Sequence, residues 1–390
     1  MTAATASATT TPSARRILLV CHYYAPHVGG IENVVQAEAE RLAARGHEVT
    51  VLTSSDRGGV SREGDVRVVR VAAWNGLEHR AGVPFPVFSP RLLSRALRLA
   101  READIVHIHD CFYLSSWSAG LAAALARKPV VLSQHVAVVE HPSALVSAVQ
   151  KLVYGCAGRL LIRRAARICV INEHVGRFVR GLGAREEKIV ILSNGVDTDR
   201  FRPPKDPAER ERLREEFGLP IGRPLALFVG RLVPKKGINI ALAAPREGYE
   251  LVVAGSGDAR ALDGRAGVHF LGSLRPERVA ELMRACDVLV LPTVGEVFPL
   301  VVKEAMSTGL PVVTTDEPDY ADPGVDRRGL VLVPREPGAV GEAIMRTVAD
   351  RAEYERMSGH ALEYARRCFS WSDHMEVLTH TYLAAAGGAR

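Results

Sequence analysis

Short apolar runs recur along the chain, each closed by a polar or glycine-containing turn and followed by a stretch of helical period. In the first half they predict strands at Ile17–His22, Glu48–Thr53, Val66–Val71, Asp104–His109, Pro129–Gln134, Arg167–Asn172 and Lys188–Leu192. Runs without polar alternation are buried on both faces, as in a parallel sheet between two layers of helices. Between the first two runs, Val34, Val35, Leu42 and Ala43 fall at helical spacing, so a helix is expected over Ile31–Arg45, with Gly46 ending it. A second series follows at Leu225–Val229, Glu250–Ala254, Val268–Leu271, Asp287–Leu291, Val312–Thr315 and Leu330–Val333, and the chain after Ala339 reads as helical to its end. The charged segment Phe201–Arg223 separates the two series. The pattern therefore predicts two αβα units with parallel sheets facing a cleft, over residues 15–203 and 204–370.

Composition narrows the classes of function. With 390 residues, 47% of them hydrophobic, the chain can bury two cores. Its net charge of +6 comes from scattered basic residues with no zinc-finger or RNA-binding signature, so nucleic acid is not expected as a partner. Phosphorylated substrates or an acidic membrane surface suit that charge better. The six cysteines form no CxxC pair and several lie in strand-like runs, which suggests reduced thiols and a cytoplasmic setting. No apolar stretch is long enough to span a bilayer. Residues 1–14 have the Ala/Thr/Ser composition of a disordered tail, and the apolar run after Arg15-Arg16 is too short for an export signal. Arg91–Arg101 and Arg159–Arg167 are basic and amphipathic. They either pack on the core with their arginines in water or rest on an anionic membrane as a peripheral contact.

Candidate chemistry sits at strand ends. The run Asp287–Pro292 leads to Glu296, then to a helix expected to begin at Phe298 and to carry Glu304 about two turns on. Ligands of such sheets bind beyond the C-terminal strand ends, and the free N–H groups of the helix start would make an anion site beside Glu296. The Glu-x7-Glu spacing alone is common; its surroundings give it meaning. Gly29-Gly30 follows the first strand, without a GxGxxG fingerprint. Arg231 and Lys236 follow the first strand of the second half, where they would converge on a diphosphate. Gly255-Ser256-Gly257-Asp258 is a small-residue loop suited to close ligand approach. His135 ends a strand and is expected to face the cleft. His107-x-His109-Asp110 resembles a ligand set, but no third cluster adds ligands, so these residues are expected to line the cleft rather than hold a metal.

Together these residues resemble the retaining glycosyltransferases of family 4, which have the GT-B fold. The resemblance runs from Arg16 to about Ala385. It rests on Gly29-Gly30, His135, NGVDTDRF at Asn194–Phe201, GRLVPKKG at Gly230–Gly237, the GSG at Gly255 and Glu296-x7-Glu304, in that order. It implies two Rossmann-like domains and a last helix, residues 371–388, crossing back to an acceptor-binding first domain. It also implies a nucleotide-diphosphate sugar as substrate, bound mainly by the second domain, with no metal or cofactor. Arg231 and Lys236 would hold the diphosphate, and Glu304 the ribose hydroxyls. Glu296 would contact the donor sugar, His135 the hydroxyls near the reacting carbon, and Gly30 the phosphate or sugar. Where the family has glycines on either side of the phenylalanine, this chain has Val297 and Pro299. Pro299 offers no N–H, so Phe298, Leu300 or Val301 must supply any backbone bond to the donor. The acceptor would be lipid-linked or a cell-envelope glycan, or else a soluble small molecule. A Rossmann oxidoreductase lacks its fingerprint here, and a silent nucleotide-sugar-binding protein would not need Glu296, Glu304, Arg231, Lys236 and His135 together.

Overall fold

The computed structural model describes residues 14–27, 29–76, 85–137, 144–260, 262, 264–296, 298–317, 320 and 325–387. Most of the amino-terminal tail, residues 1–13, and Val297 lie outside the described residues.

The first half builds a nine-stranded sheet. Its strands are β1 (Arg16–Val20), β2 (Glu48–Ser55), β3 (Gly59–Glu63), β4 (Val66–Trp74), β5 (Val87–Phe88), β6 (Ile105–His109), β7 (Val130–Gln134), β8 (Arg167–Val170) and β9 (Ile189–Ile191). Their order is β3-β4-β2-β1-β6-β7-β8-β9, with β5 on β4. All pairs from β4 through β9 are parallel, while β3 and β5 join β4 antiparallel. The wholly parallel sheet expected from the sequence thus gains an antiparallel margin. Gly59–Glu63 is mostly exposed, so it carries none of the apolar run by which the buried strands are read. Successive residues of β1 face opposite layers: Ile17 and Leu19 pack in one core, Leu18 and Val20 in the other.

The second half forms a six-stranded parallel sheet of β10 (Leu225–Val229), β11 (Glu250–Ala254), β12 (Val268–Phe270), β13 (Val288–Leu291), β14 (Val312–Thr315) and β15 (Leu330–Val333), in the order β12-β11-β10-β13-β14-β15. In both sheets the order reverses beside the first strand, which opens a crevice at the C-terminal strand ends. The charged segment is not an open linker. Asp206 caps a helix at Pro207–Glu216, and Arg214 of that helix bonds Asp287 Oδ2 at 2.7 Å, before β13. Val196 and Phe201 already pack in the second core.

The chain returns through helices Pro337–Ala349, Arg351–Cys368 and Trp371–Gly387. The last lays Met375, Leu378, Tyr382 and Ala385 on the first core. Outgoing and returning crossings run side by side, with Val196 N–H donating to Phe369 O at 2.8 Å and Val196 bridging Ser370 in parallel. The basic segments are helices too. Arg91–Glu102 buries Leu92, Ala96, Leu99 and Ala100, and Arg159–Arg164 buries Leu161 and Ile162. Leu152 and Leu160 stay 66% and 54% exposed, so that corner of the first domain keeps an apolar surface among basic side chains.

Candidate functional site

In the second domain, backbone packing sets the geometry before any side chain acts. Gly255, at the end of β11, has φ 156°, and a Cβ there would fall 1.8 Å from Gly230 O, at the end of β10. A Cβ on Gly237, at φ 80°, would fall 2.0 Å from Pro292 O. The loops after β10, β11 and β13 therefore interlock at contacts only glycine permits. Leu232 N–H donates to Ser256 O at 2.8 Å and Val294 N–H to Lys235 O at 3.1 Å, which completes the frame.

On this frame Lys236 Nζ meets Glu296, at 2.6 Å from Oε1 and 2.8 Å from Oε2. The structure thus brings together two residues sixty positions apart in sequence. Both remain about a fifth exposed. Arg231 and Ser256 are exposed on the neighbouring loops.

The helix after Glu296 corrects an expectation. It begins at Leu300, with Pro299 as its cap residue, rather than at Phe298. Phe298 takes φ 51°, and its ring is buried against Tyr320, Tyr364 and Phe369. Burying that ring turns the chain away from helix, and Pro299 then fixes a start at which its missing N–H is no loss. The first-turn N–H groups of Leu300 and Val301 have no intrahelical acceptor, as at any helix start. Glu304 follows, half-buried; burial pushes its carboxyl up to about 7, with Arg200 opposing the shift.

Lys303, beside it, was not singled out by the sequence. It is 2% exposed, donates to Ser193 Oγ at 2.8 Å, and lies near the rings of Phe298 and Phe369. Burial pushes its amine down to about 7.

In the first domain, Gly29 is the cap residue of helix Gly30–Ala44. Its missing side chain makes room for Glu32, whose carboxylate lies where a Cβ would be, at 2.2 Å, and 3.2 Å from His27 Nδ1. A carboxylate of the chain itself thus sits at that helix start, beside Gly30, where a Cβ would meet open space.

His107, His109 and Asp110 do not line the cleft as expected: all three are fully buried. Asp110 accepts from Phe112 N–H at 3.0 Å and does not join the ligand atoms grouped around the histidine pair. A further carboxylate that the sequence reading did not find arrives as Glu38 of helix Gly30–Ala44. Its carboxylate and one nitrogen each of His107 and His109 lie within 4.8 Å of one another. His107, however, already spends both ring nitrogens on hydroxyls, Tyr382 Oη and Ser133 Oγ, each at 2.8 Å. The group is therefore a hydrogen-bonded core, to which His374 of the last helix adds a contact of 3.0 Å to Glu38 Oε1. His135 belongs to the same core. It is 6% exposed, and its Nε2 lies 3.0 Å from His109 Nδ1. Burial pushes His107 and His135 down to about 4 and His109 well below its usual range, so all three imidazoles are neutral near pH 7.

Known proteins carry the same two-part architecture. Residues 28–200 match Glycosyltransferase Family 4, and residues 209–364 match Glycosyl transferases group 1. A D-inositol 3-phosphate glycosyltransferase of Xylanimonas cellulosilytica is 30% identical over 92% of each chain. An uncharacterized glycosyltransferase of Methanocaldococcus jannaschii is 25% identical, covering 95% of this chain and 98% of its own. Among solved structures, sucrose-phosphate synthase from Thermosynechococcus elongatus superposes with a TM-score of 0.74 at 21% identity, over 96% of this chain and 100% of its own. With two facing α/β units, a glycine-framed cationic loop and matches over both halves, the chain belongs to glycosyltransferase family 4 and is a nucleotide-sugar-dependent glycosyltransferase of the GT-B fold.

Proposed function

We propose that the chain transfers a hexosyl group, with retention of anomeric configuration and without a metal ion, from a UDP-sugar to an acceptor hydroxyl bound by the first domain. The observation that carries this reading is the Lys236–Glu296 pair, just ahead in the chain of a helix whose Leu300 and Val301 N–H groups have no hydrogen-bond acceptor among the described residues. A diphosphate entering there competes with Glu296 for Lys236 and frees the carboxylate for the sugar. As the bond from the anomeric carbon to the diphosphate breaks, negative charge grows on the leaving group. Lys236, Arg231 and the helix start stabilise it, which is the work a divalent cation does elsewhere. The acceptor oxygen bonds to the anomeric carbon from the leaving-group face, and its proton passes to a diphosphate oxygen. Glu304, in the same helix, accepts from the ribose hydroxyls. Uridine as the base is favoured by the likeness to HepE of Anabaena, solved with UDP and with UDP-glucose.

Two acceptor classes are each favoured by an observation. Exposed Leu152 and Leu160 beside Lys151, Arg159, Arg163 and Arg164 favour a lipid-linked acceptor at an anionic membrane. The names of the inositol-phosphate relatives favour a small polar acceptor. A donor panel read by nucleotide release, with and without a chelator, followed by NMR of the product, tests the reaction. Inversion, or loss of turnover on chelation, overturns the corresponding part. Salt-sensitive sedimentation with anionic vesicles is expected of the membrane acceptor alone.

A further inference from the structure

We propose that Glu38 is a positioning residue that fixes the tautomer of His135 through His109, so that His135 presents Nδ1 as a hydrogen-bond acceptor to a substrate hydroxyl. The proposal rests on the reading that places His135 at the donor site.

The argument is a donor–acceptor count along one buried chain of groups. His374 Nδ1 lies 2.8 Å from Ser193 O, a main-chain carbonyl that can only accept, so Nδ1 carries a proton. His374 Nε2 faces Glu38 Oε1 at 3.0 Å, and that contact holds one further proton between carboxylate and imidazole. Glu38 Oε2 takes no part in it. It lies 3.5 Å from His109 Nε2 and 3.7 Å from His107 Nδ1, and His107 is already engaged by Tyr382 and Ser133. Glu38 Oε2, His109 Nε2 and His135 Nδ1 are all buried without a hydrogen-bond partner among the described residues.

A neutral imidazole carries one N–H, so the contact between His109 Nδ1 and His135 Nε2 admits two arrangements. In one, His109 donates from Nδ1 and points a lone pair at Glu38. His135 then carries its proton on Nδ1 and is a donor. In the other, His109 keeps its proton on Nε2, toward the carboxylate, and accepts from His135 Nε2–H. His135 Nδ1 is then a lone pair. The proton shared with His374 lies on the Oε1 side, so Oε2 offers only lone pairs. Such an acceptor favours the N–H over the lone pair at its side, which selects the second arrangement. His135 Nδ1 then needs a hydroxyl donor, a group that a sugar supplies and a backbone carbonyl does not.

Long-range proton–nitrogen NMR of the full chain with labelled histidines reads the tautomers directly, with His135→Gln and His109→Gln assigning the signals. In the wild-type chain His135 should show a protonated Nε2 and a bare Nδ1. In Glu38→Gln it should become mixed or reversed, with kcat falling on the order of ten- to a hundredfold while KM for the donor changes little. A wild-type His135 protonated on Nδ1 overturns the proposal. An unchanged His135 tautomer in a folded Glu38→Gln chain also overturns it. The site reading fails separately: His135→Ala with wild-type transfer removes His135 from the donor site whatever its tautomer.

Discussion

Lys236 and Glu296 keep about a fifth of their side chains in water, whereas Glu38, His107 and His109 keep essentially none. Both groups combine a carboxylate with nitrogen bases at the C-terminal end of a parallel sheet, yet one is partly solvated and the other sealed. The roles proposed for them account for the difference. A cation that must leave its carboxylate for an incoming diphosphate needs water nearby to keep the exchange cheap. An imidazole that must hold one orientation and one tautomer gains from a dry setting, where hydrogen bonds are strong and alternatives costly. In the second domain glycine contacts hold the backbone, and the proposed exchange is between charged partners. In the first the hydrogen-bond donors and acceptors themselves are locked.

The largest expected effect tests the exchangeable half. Lys236→Ala should lower kcat on the order of a hundred- to a thousandfold, with thermal stability nearly unchanged because Glu296 remains solvated. A large loss of stability instead would show the pair to be structural and end the contrast.

Gly255→Ala tests the frame. The new Cβ falls on a main-chain oxygen at a φ that side chains rarely adopt, so urea unfolding should show a loss on the order of 3 kcal/mol. A neutral substitution there would mean that the loops are free to part.

Lys303→Met tests whether a buried amine at the seam weakens the fold. A folded-state value near 7 lies below that of an unfolded lysine, so the native state binds fewer protons between the two. The penalty is complete below the folded value and disappears as pH rises through the unfolded one. Methionine should therefore stabilise the chain by about 1–3 kcal/mol at pH 7, and the gain should shrink between about pH 7 and 10. Equal unfolding curves across that range would show the amine to be fully compensated by Ser193 and the rings.

The smallest effect concerns Glu304. Its carboxyl, raised to about 7, gains its charge as pH rises through that value. Donor affinity should then increase a few-fold between about pH 6 and 8 and lose that increase in Glu304→Gln, leaving any slope due to Lys303. Identical profiles by calorimetry would remove Glu304 from the ribose.

Elements buried on both faces were legible because burial leaves an uninterrupted apolar run. β10, β11, β14 and β15 match the sequence reading residue for residue. β3 was not legible, since a mostly exposed edge strand carries no such run. Glu296, Lys236 and Gly255 could be read because strand ends announce themselves locally. Glu38 and His374 could not be paired from sequence, being 336 positions apart and each resembling an ordinary helix polar group. A signal for Glu38 existed nonetheless. It falls four residues after Val34 and four before Leu42, on the buried stripe of its helix, where a carboxylate needs a partner. Phe298 was misplaced because local reading assigned it to the helix, whereas the aromatic cluster around Tyr320 and Phe369 determines its backbone.

The paired crossings at Val196 and Phe369 set the mechanics of the whole molecule. Two connections lying side by side and bonded to each other form one spine between the halves. Shear between them would break the bridge to Ser370. Ser193 and His374 flank that spine, so the groups that grip Lys303 from one side and Glu38 from the other share a single support.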